Sequence, residues 1–473
     1  MIHSTPLELP VDFEEQMQMM LGPRYRAFVE SLTERPPRSI RINPRKTRVK
    51  PDLRNVPWTD RGYYVGKQPV FTLDPALHAG AYYVQEPSSM FLEQALIQNL
   101  NLLEPIVALD LCAAPGGKST LLTSLLPEDS LIVANEVIKS RARILAENVV
   151  KWGQANVLVS QNDPADFRAL PGFFDLVVCD APCSGEGLFR KDPEAMKEWS
   201  PDQVALCCER QQRILGEAWQ TLRPGGLLVY STCTFNMLEN EENLYWLAET
   251  FGVESVQLKL NPKWKVEESE INNIYGYRFY PHLVRGEGFF MAVLRKPEDS
   301  ETETVTLHRK HKLTRASQKD VDAVHGWVKN PERFAFIRHQ DKIKVFAEEF
   351  LPETDFLYKH LNIIQGGVEL AEWKGQNLNP QHELAMFTGV NPEVFHTVEM
   401  SYEEAVRFLH KDDILPEASV KGWNLLTWQG LPLGFGKRIN ERMNNYYPTD
   451  WRIRMDIAEA ISREETPWNL MQA

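Results

Sequence analysis

The chain has 473 residues, a formal net charge of −13, and ordinary apolar and charged fractions of 43% and 25%. That length exceeds one compact core, so two to four domains are expected, and no run of eighteen apolar residues is present to span a membrane. The acidic total excludes a chain that is cationic overall, though a local basic patch still acts within a Debye length.

The six cysteines suggest neither a disulfide framework nor a zinc site with paired C-x-x-C ligands, so no metal is expected. The opening stretch, MIHSTPLELPVDFEEQM, lacks a basic segment followed by an apolar one. The expectation is a cytoplasmic protein without a membrane partner.

Residues 1–75 read as a small N-terminal α+β domain. FEEQMQMMLG (13–22) and RYRAFVESL (24–32) have helical periodicity. RPPRSIRINPRKTRVK (35–50) then carries seven basic residues and no acidic one. Its Pro-Pro pair stops a helix, SIRIN alternates like a strand, and Arg38, Arg41 and Arg45 are candidate RNA phosphate contacts. A solvated surface segment is the competing reading.

Residues 76–297 alternate strand and helix. VALDL (107–111), LIVANE (131–136), VLVSQ (157–161), LVVCD (176–180) and LLVYS (227–231) are strands, with helices over 118–126, 140–153 and 202–222. GFFMAVLRK (288–296) reads as a late hairpin partner. This pattern predicts a Rossmann-like α/β core with a parallel, doubly wound sheet.

PEDSETET (297–304) reads as a linker, and 305–375 as an intermediate α+β region without a legible motif. Residues 380–473 read as a β-rich module, because 422–454 interleaves aromatics and glycines with basic residues. Lys437 and Arg438 are its RNA-contact candidates.

The turn CAAPGGKST (112–120) is not a phosphate loop. That motif needs glycine where Cys112 stands, and Pro115 lacks a backbone N–H. A strand-end turn with small residues instead lets backbone approach a ligand closely. Asp110 ends the first strand, Glu136 ends the next beside a ribose position, and Asn162-Asp163 follows the third, near an adenine edge. Acids at successive strand ends suit S-adenosylmethionine, which is cationic and carries no phosphate.

Two cysteines lie just past strand ends, Cys183 in DAPCSGEG (180–187) and Cys233 in STCTF (231–235). A thiolate adding to cytosine C6 makes C5 nucleophilic, and a second thiolate or a neighbouring water can take the C5 proton. Asp180 is placed to bind the cytosine N3/N4 edge, and Lys118 to hold the ring or favour a thiolate. Cys179, Cys207 and Cys208 lie inside elements and read as packing, as Cys112 does. DNA cytosine methyltransferases use the cysteine of a Pro-Cys pair, so these residues alone leave the two roles open.

CAAPGGKS, NE at 135–136, ND at 162–163, DAPCSGEG and STCT, in that order, together resemble the Sun/nucleolar-protein family of RNA cytosine-5 methyltransferases. AYYVQEPSSM (81–90) is similar to that family's entry segment. The resemblance implies that Cys233 is the nucleophile and Cys183 the thiol needed for release. It also implies that Cys112, Ala113, Ala114, Pro115, Gly116, Gly117, Lys118, Glu136, Asp163 and Asp180 line the S-adenosylmethionine site. The full-length layout is similar to the family's 16S rRNA branch, whose tail is a PUA-like RNA-binding module. Expected partners are therefore 16S rRNA or the assembled 30S subunit, and not DNA. The alternatives are the same chemistry on tRNA, or a non-catalytic ribosome-assembly factor that binds RNA.

Overall fold

The computed structural model describes residues 8–66, 70–303, 305–307 and 312–458, together with 461 and 468. The first seven residues, residue 304 of the expected linker, 308–311 of the intermediate region and most of 459–473 lie outside the described residues.

Helices Val11–Leu21 and Tyr25–Leu32 open the N-terminal block. Strands β1 (Arg38–Ile42), β2 (Gly62–Val65) and β3 (Tyr82–Val84) then form an antiparallel sheet in the order β2-β1-β3. The third strand lies past residue 75, so the entry segment closes the N-terminal sheet.

Arg41 corrects the charge-based expectation for this block. It is 1% exposed, and its guanidinium donates to Gln85 Oε1 at 2.8 Å, Ser124 Oγ at 3.0 Å and Thr120 Oγ1 at 2.6 Å. It also stacks 4.7 Å from the Trp152 ring centroid. Burial pulls its pKa down to about 9. A buried guanidinium survives only where its N–H groups are spent on partners, so none is left for RNA.

Arg45 is likewise committed, donating to the Thr123 and Leu126 carbonyls at the end of the Gly117–Leu125 helix and pairing with Glu128. Cations there complement the helix dipole. Arg41→Ala should lower stability by roughly 2–4 kcal/mol, because a buried hydrogen-bonding hub is removed. A thermal melt of that variant coinciding with the parent's would remove this anchoring role.

The central sheet holds five parallel strands: β4 (Val107–Asp110), β5 (Leu131–Asn135), β6 (Val157–Ser160), β7 (Phe174–Asp180) and β8 (Leu222–Thr232). Their runs of Val, Leu, Ile and Ala are buried on both faces, which divides the core into two layers.

Antiparallel strands complete one side: the short β9 (Glu254–Ser255) and the meander β10 (Glu267–Ile271), β11 (Ile274–Phe279) and β12 (Phe289–Arg295). The last is the partner expected of GFFMAVLRK, pairing with β8 from Leu227 to Thr232. The sheet is thus mixed rather than all-parallel.

The intermediate region supplies β13 (Thr314–Arg315), β14 (Phe334–His339) and β15 (Lys342–Ala347). Its next strand, β16 (Ile363–Gly366), leaves its neighbours and pairs antiparallel with β6 at the edge of the central sheet. Strands β17 (Val368–Lys374) and β18 (Asn377–Pro380) then complete a five-stranded sheet with β13–β15.

The C-terminal module is a four-stranded sheet of β19 (His396–Glu399), β20 (Gly422–Trp428), β21 (Leu431–Ile439) and β22 (Arg442–Asn445). Its Phe408, Leu426 and Trp428 share one core with Ile40, Ile42 and Tyr82 of the N-terminal sheet. The two ends of the chain therefore pack on each other.

Arg438 is tied down, donating to the Ser419 carbonyl at 2.6 Å and to Asn440 O at 3.0 Å. Lys437 lies 4.9 Å over the Trp423 ring.

Candidate active site

Strand order across the middle of the sheet is β8-β7-β4-β5-β6. The chain runs β4, β5, β6 outward one way, then returns to place β7 on the other side of β4. That reversal is a topological switch point, where ligands of open α/β sheets bind beyond the strand ends. A cleft of 380 Å³ opens there, lined by the 112–118 turn, Asp180, Cys233, residues 83–86 and Glu287–Phe289. Its size falls within the ~300–1,000 Å³ usual for small-molecule sites.

The turn is held from behind. Arg141 donates to the Ala114 carbonyl at 2.9 Å, and Asn148 to the Pro115 carbonyl at 2.8 Å. Gly116 has φ 116°, a left-handed conformation that excludes most side chains, and it caps the helix that follows. Ala113, Ala114 and Gly117 leave a cradle with little side-chain bulk, which suits close approach of a nucleoside ligand.

Register brings the two motif cysteines together. Asp180 pairs with Ser231 across β7 and β8, so the loops that follow run side by side. Cys183 Sγ and Cys233 Sγ lie 3.1 Å apart, and Cys233 N–H also donates to Cys183 Sγ at 3.3 Å. Both are free thiols, and both are half-buried. The hydrogen bond with Cys233, together with burial, pushes the Cys183 thiol well above its usual pKa.

Lys118 Nζ meets Asp180 Oδ2 at 2.7 Å and lies 5.3 Å from the Phe289 ring. Ser231 Oγ donates to the other Asp180 oxygen at 2.7 Å. The carboxylate is therefore oriented on both sides, yet its side chain stays 38% exposed at the cleft. The Lys118 charge is turned first on Asp180 rather than on a thiol.

The remaining strand-end acids have other contacts. Asp110 is fully buried beneath the turn instead of beside a ligand, with Oδ2 accepting from Ser119 Oγ at 2.6 Å and Oδ1 unpartnered. Glu136 accepts from the Ile138 N–H at 2.9 Å and pairs with Arg141 at 3.3 Å. Asp163 caps the Pro164–Ala169 turn and pairs with Arg213 at 2.9 Å. Asn162 Oδ1 accepts from the Asn362 N–H, on the segment leading into β16. Glu136 and Asp163 lie outside the walls of the 380 Å³ cleft, along the same edge of the sheet.

Cys179 is fully buried in β7 and Cys207 is 1% exposed, as packing residues are. Cys208 is half-buried, its thiol donating to the Leu238 carbonyl at 3.3 Å. Cys112 touches both worlds: it lines the cleft, while hydrogen bonding to Cys179 and burial push its thiol well up.

Burial lifts the Asp110 carboxyl to about 7, with the Ser119 hydrogen bond partly offsetting. Between about pH 4 and 7 the folded form then keeps a proton that the unfolded form releases. Stability from this group is present at low pH and fades as pH rises through 7. Without a methyl donor, Asp110→Asn should therefore match the parent near pH 4 and exceed it at pH 8 by on the order of a few kcal/mol. Melts showing the same difference at both pH values would mean that Asp110 is ionised throughout.

The sequence reading passed over two buried carboxylates that fix the thiol loops. Glu186 accepts from Phe235 N–H at 3.0 Å and Trp199 Nε1 at 3.1 Å, and burial with the nearby Glu239 raises its pKa to about 7. Glu239 accepts from Ser184 N–H and Gln211, both at 2.9 Å. Gly187 N–H donates to the Cys233 carbonyl at 2.9 Å. Glu186 lies inside DAPCSGEG, whereas Glu239 is hidden in the acidic run LENEEN.

Comparison with known proteins finds relatives along most of the chain. The family model described as 16S rRNA methyltransferase RsmB/F matches residues 97–295. The N-terminal domain of 16S rRNA methyltransferase RsmF matches 9–87, and the methyltransferase RsmF PUA domain matches 395–453. Ribosomal RNA small subunit methyltransferase F of Aliivibrio fischeri strain MJ11 is 32% identical, covering 87% of this chain and 90% of its own length. Its counterpart in Escherichia coli O127:H6 is 31% identical with the same coverage. Among solved structures, a methyltransferase homolog protein from Pyrococcus horikoshii is 28% identical with a TM-score of 0.53, covering 61% of this chain and 96% of its own.

Proposed function

The chain belongs to the 16S rRNA methyltransferase RsmB/F family, and from that premise we propose that it methylates cytosine C5 in 16S rRNA with S-adenosylmethionine. The observation that carries this reading is the pair of thiols 3.1 Å apart, with Cys233 in the wall of the switch-point cleft. A protein that only binds RNA has no use for such a pair.

The residues assigned to the methyl donor are the 112–118 turn, Glu136, Asp163 and Asp180. The donor supplies an electrophilic methyl group on a sulfonium centre. Cys233 Sγ adds to C6 of the target cytosine, which loads electron density onto C5. Asp180, steadied by Lys118 and Ser231, holds the amino edge of the base.

Either thiol can donate in the resting pair; Cys233 attacks as the thiolate after giving its proton to solvent, while the hydrogen bond and burial hold Cys183 as the thiol. Once Cys233 is bonded to carbon, the hydrogen bond to Cys233 that raises the Cys183 pKa is gone, and Cys183 gives its proton to solvent. The Cys183 thiolate then takes the proton on C5. The C5–H electron pair then restores the ring double bond as the Cys233–C6 bond breaks.

The base must leave its stack to be reached from both faces, at a cost of roughly a few kcal/mol. That cost favours an unpaired or distorted site and, on this reading, the 30S subunit as substrate. The test is transfer of labelled methyl to assembled 30S subunits, naked 16S rRNA and bulk tRNA in parallel. Label recovered as 5-methylcytidine from 30S subunits or 16S rRNA supports the reading. Label only on tRNA changes the substrate but keeps the chemistry, and no label on any of them overturns the function.

A further inference from the structure

A second cavity, 470 Å³, lies between the loop before β1 and the 281–285 loop before β12. Arg35, Arg38, Arg190, Arg285 and His282 line it, and Glu34 is the carboxylate among its lining residues. Cationic groups gathered at one void, with Arg190 among them already paired with Glu287, create a local positive potential that favours an anion there. In a chain of net charge −13 this concentration is a local feature that composition does not supply.

The arginines are fixed in different ways. Arg190 has a 3% exposed side chain, pairs with Glu287 at 3.0 Å and donates to the Gly286 carbonyl at 2.5 Å. Glu287 lines the catalytic cleft, so this ion pair joins the walls of the two cavities. Arg285 is exposed, and its guanidinium lies 4.5 Å over the Tyr64 ring, whose hydroxyl donates to the Arg285 carbonyl at 2.8 Å. A stacked guanidinium keeps its edge N–H groups available in a preset plane. Arg35 and Arg38 are exposed on either side of Pro36-Pro37, whose restricted backbone limits how far that loop can wander.

We propose that this cavity binds the RNA phosphodiester backbone beside the target nucleotide, with Arg35 and Arg285 on phosphate oxygens. The inference rests on the RNA methylation reading above and extends it to a subsite. A strand whose base is turned into the cleft must carry its backbone along the rim. The rim wall marked by Arg190 and Glu287 is where that backbone meets the cationic cavity. Guanidinium groups match phosphate oxygens in pairs, which holds the strand without reading its sequence.

The test compares parent, Arg35→Glu/Arg285→Glu and Arg35→Lys/Arg285→Lys proteins in binding naked 16S rRNA transcript across a potassium chloride series. Methylation kinetics, donor binding and melting temperature are measured beside it. The charge-reversed protein should bind the transcript about tenfold or more weakly. Its plot of log affinity against log salt should be shallower by about one for each phosphate that is no longer neutralised. KM for RNA should rise with kcat within about twofold, donor affinity should hold, and the lysine protein should stay near the parent.

Parent-like affinity and salt slope in the reversed protein would overturn the subsite. If that protein melts early or loses donor binding, the single Arg35→Glu variant is judged by the same slope, where an unchanged value overturns the proposal. A parent that binds the transcript but methylates no RNA would instead count against the function, and the binding series would still decide the subsite.

Discussion

Cys233→Ala should abolish methyl transfer, by at least about four orders of magnitude, while leaving S-adenosylmethionine affinity within about twofold of the parent. The size follows from the chemistry, because cytosine C5 becomes a nucleophile only after sulfur has added at C6. The sparing of donor affinity follows from the geometry. Cys233 touches Cys183 and, through its own carbonyl, Gly187, and neither belongs to the 112–118 turn. Truncation also leaves the loop pinned, since Glu186 and Glu239 hold it through Phe235, Asn236 and Ser184 rather than through the thiol. Isothermal titration with the donor, run beside single-turnover methylation, checks both halves. Residual turnover near the parent rate would take the nucleophile away from Cys233.

The strands and the thiol pair were legible for a physical reason. Parallel strands buried on both faces need continuous apolar runs, and residues just past their ends fall on one edge of the sheet. Hence VALDL, LVVCD and LLVYS located the cleft. Asp180 opposite Ser231 is a register fact, however, and no local pattern encodes it.

What stayed illegible depends on long-range packing. The arginines of RPPRSIRINPRKTR look alike as charges. Arg41 and Arg45 are nonetheless spent holding the helix behind the turn, while Arg35 lines the cationic cavity. Lys46, in the same run, donates to the Ala79 and Lys151 carbonyls at 2.6 Å, and burial lowers its pKa to about 7. Strand β16 gives no sign in sequence that it will leave its own sheet to close another. Arg190 and Glu287 are 97 residues apart, so only folding shows that they pair between the walls of two cavities.

Cys183→Ala should convert the enzyme into a trap: methylated RNA covalently attached to Cys233, surviving denaturing electrophoresis, at up to one equivalent per protein. Removing this thiol deletes the acceptor for the C5 proton but not the nucleophile, so the first chemical step proceeds and the last does not. Alanine also removes the hydrogen bond that Cys183 makes with Cys233 Sγ at 3.1 Å. The rate of trapping should therefore fall somewhat below the parent's first-turnover rate, while the end point remains the adduct. Cys183→Ala/Cys233→Ala should give none, which separates a true C6 adduct from adventitious crosslinking through Cys112 or Cys208. Dependence on the donor discriminates further. If the proton on C5 is what blocks release, the trapped species carries the methyl group, and labelled donor puts its label in the adduct band. An adduct that forms equally without donor would show that Cys183 governs reversal of the first addition rather than release after methylation. A Cys183→Ala protein that turns over freely, with no adduct at any time point, would mean that water or another side chain takes the proton and that the raised Cys183 pKa has no part in the step.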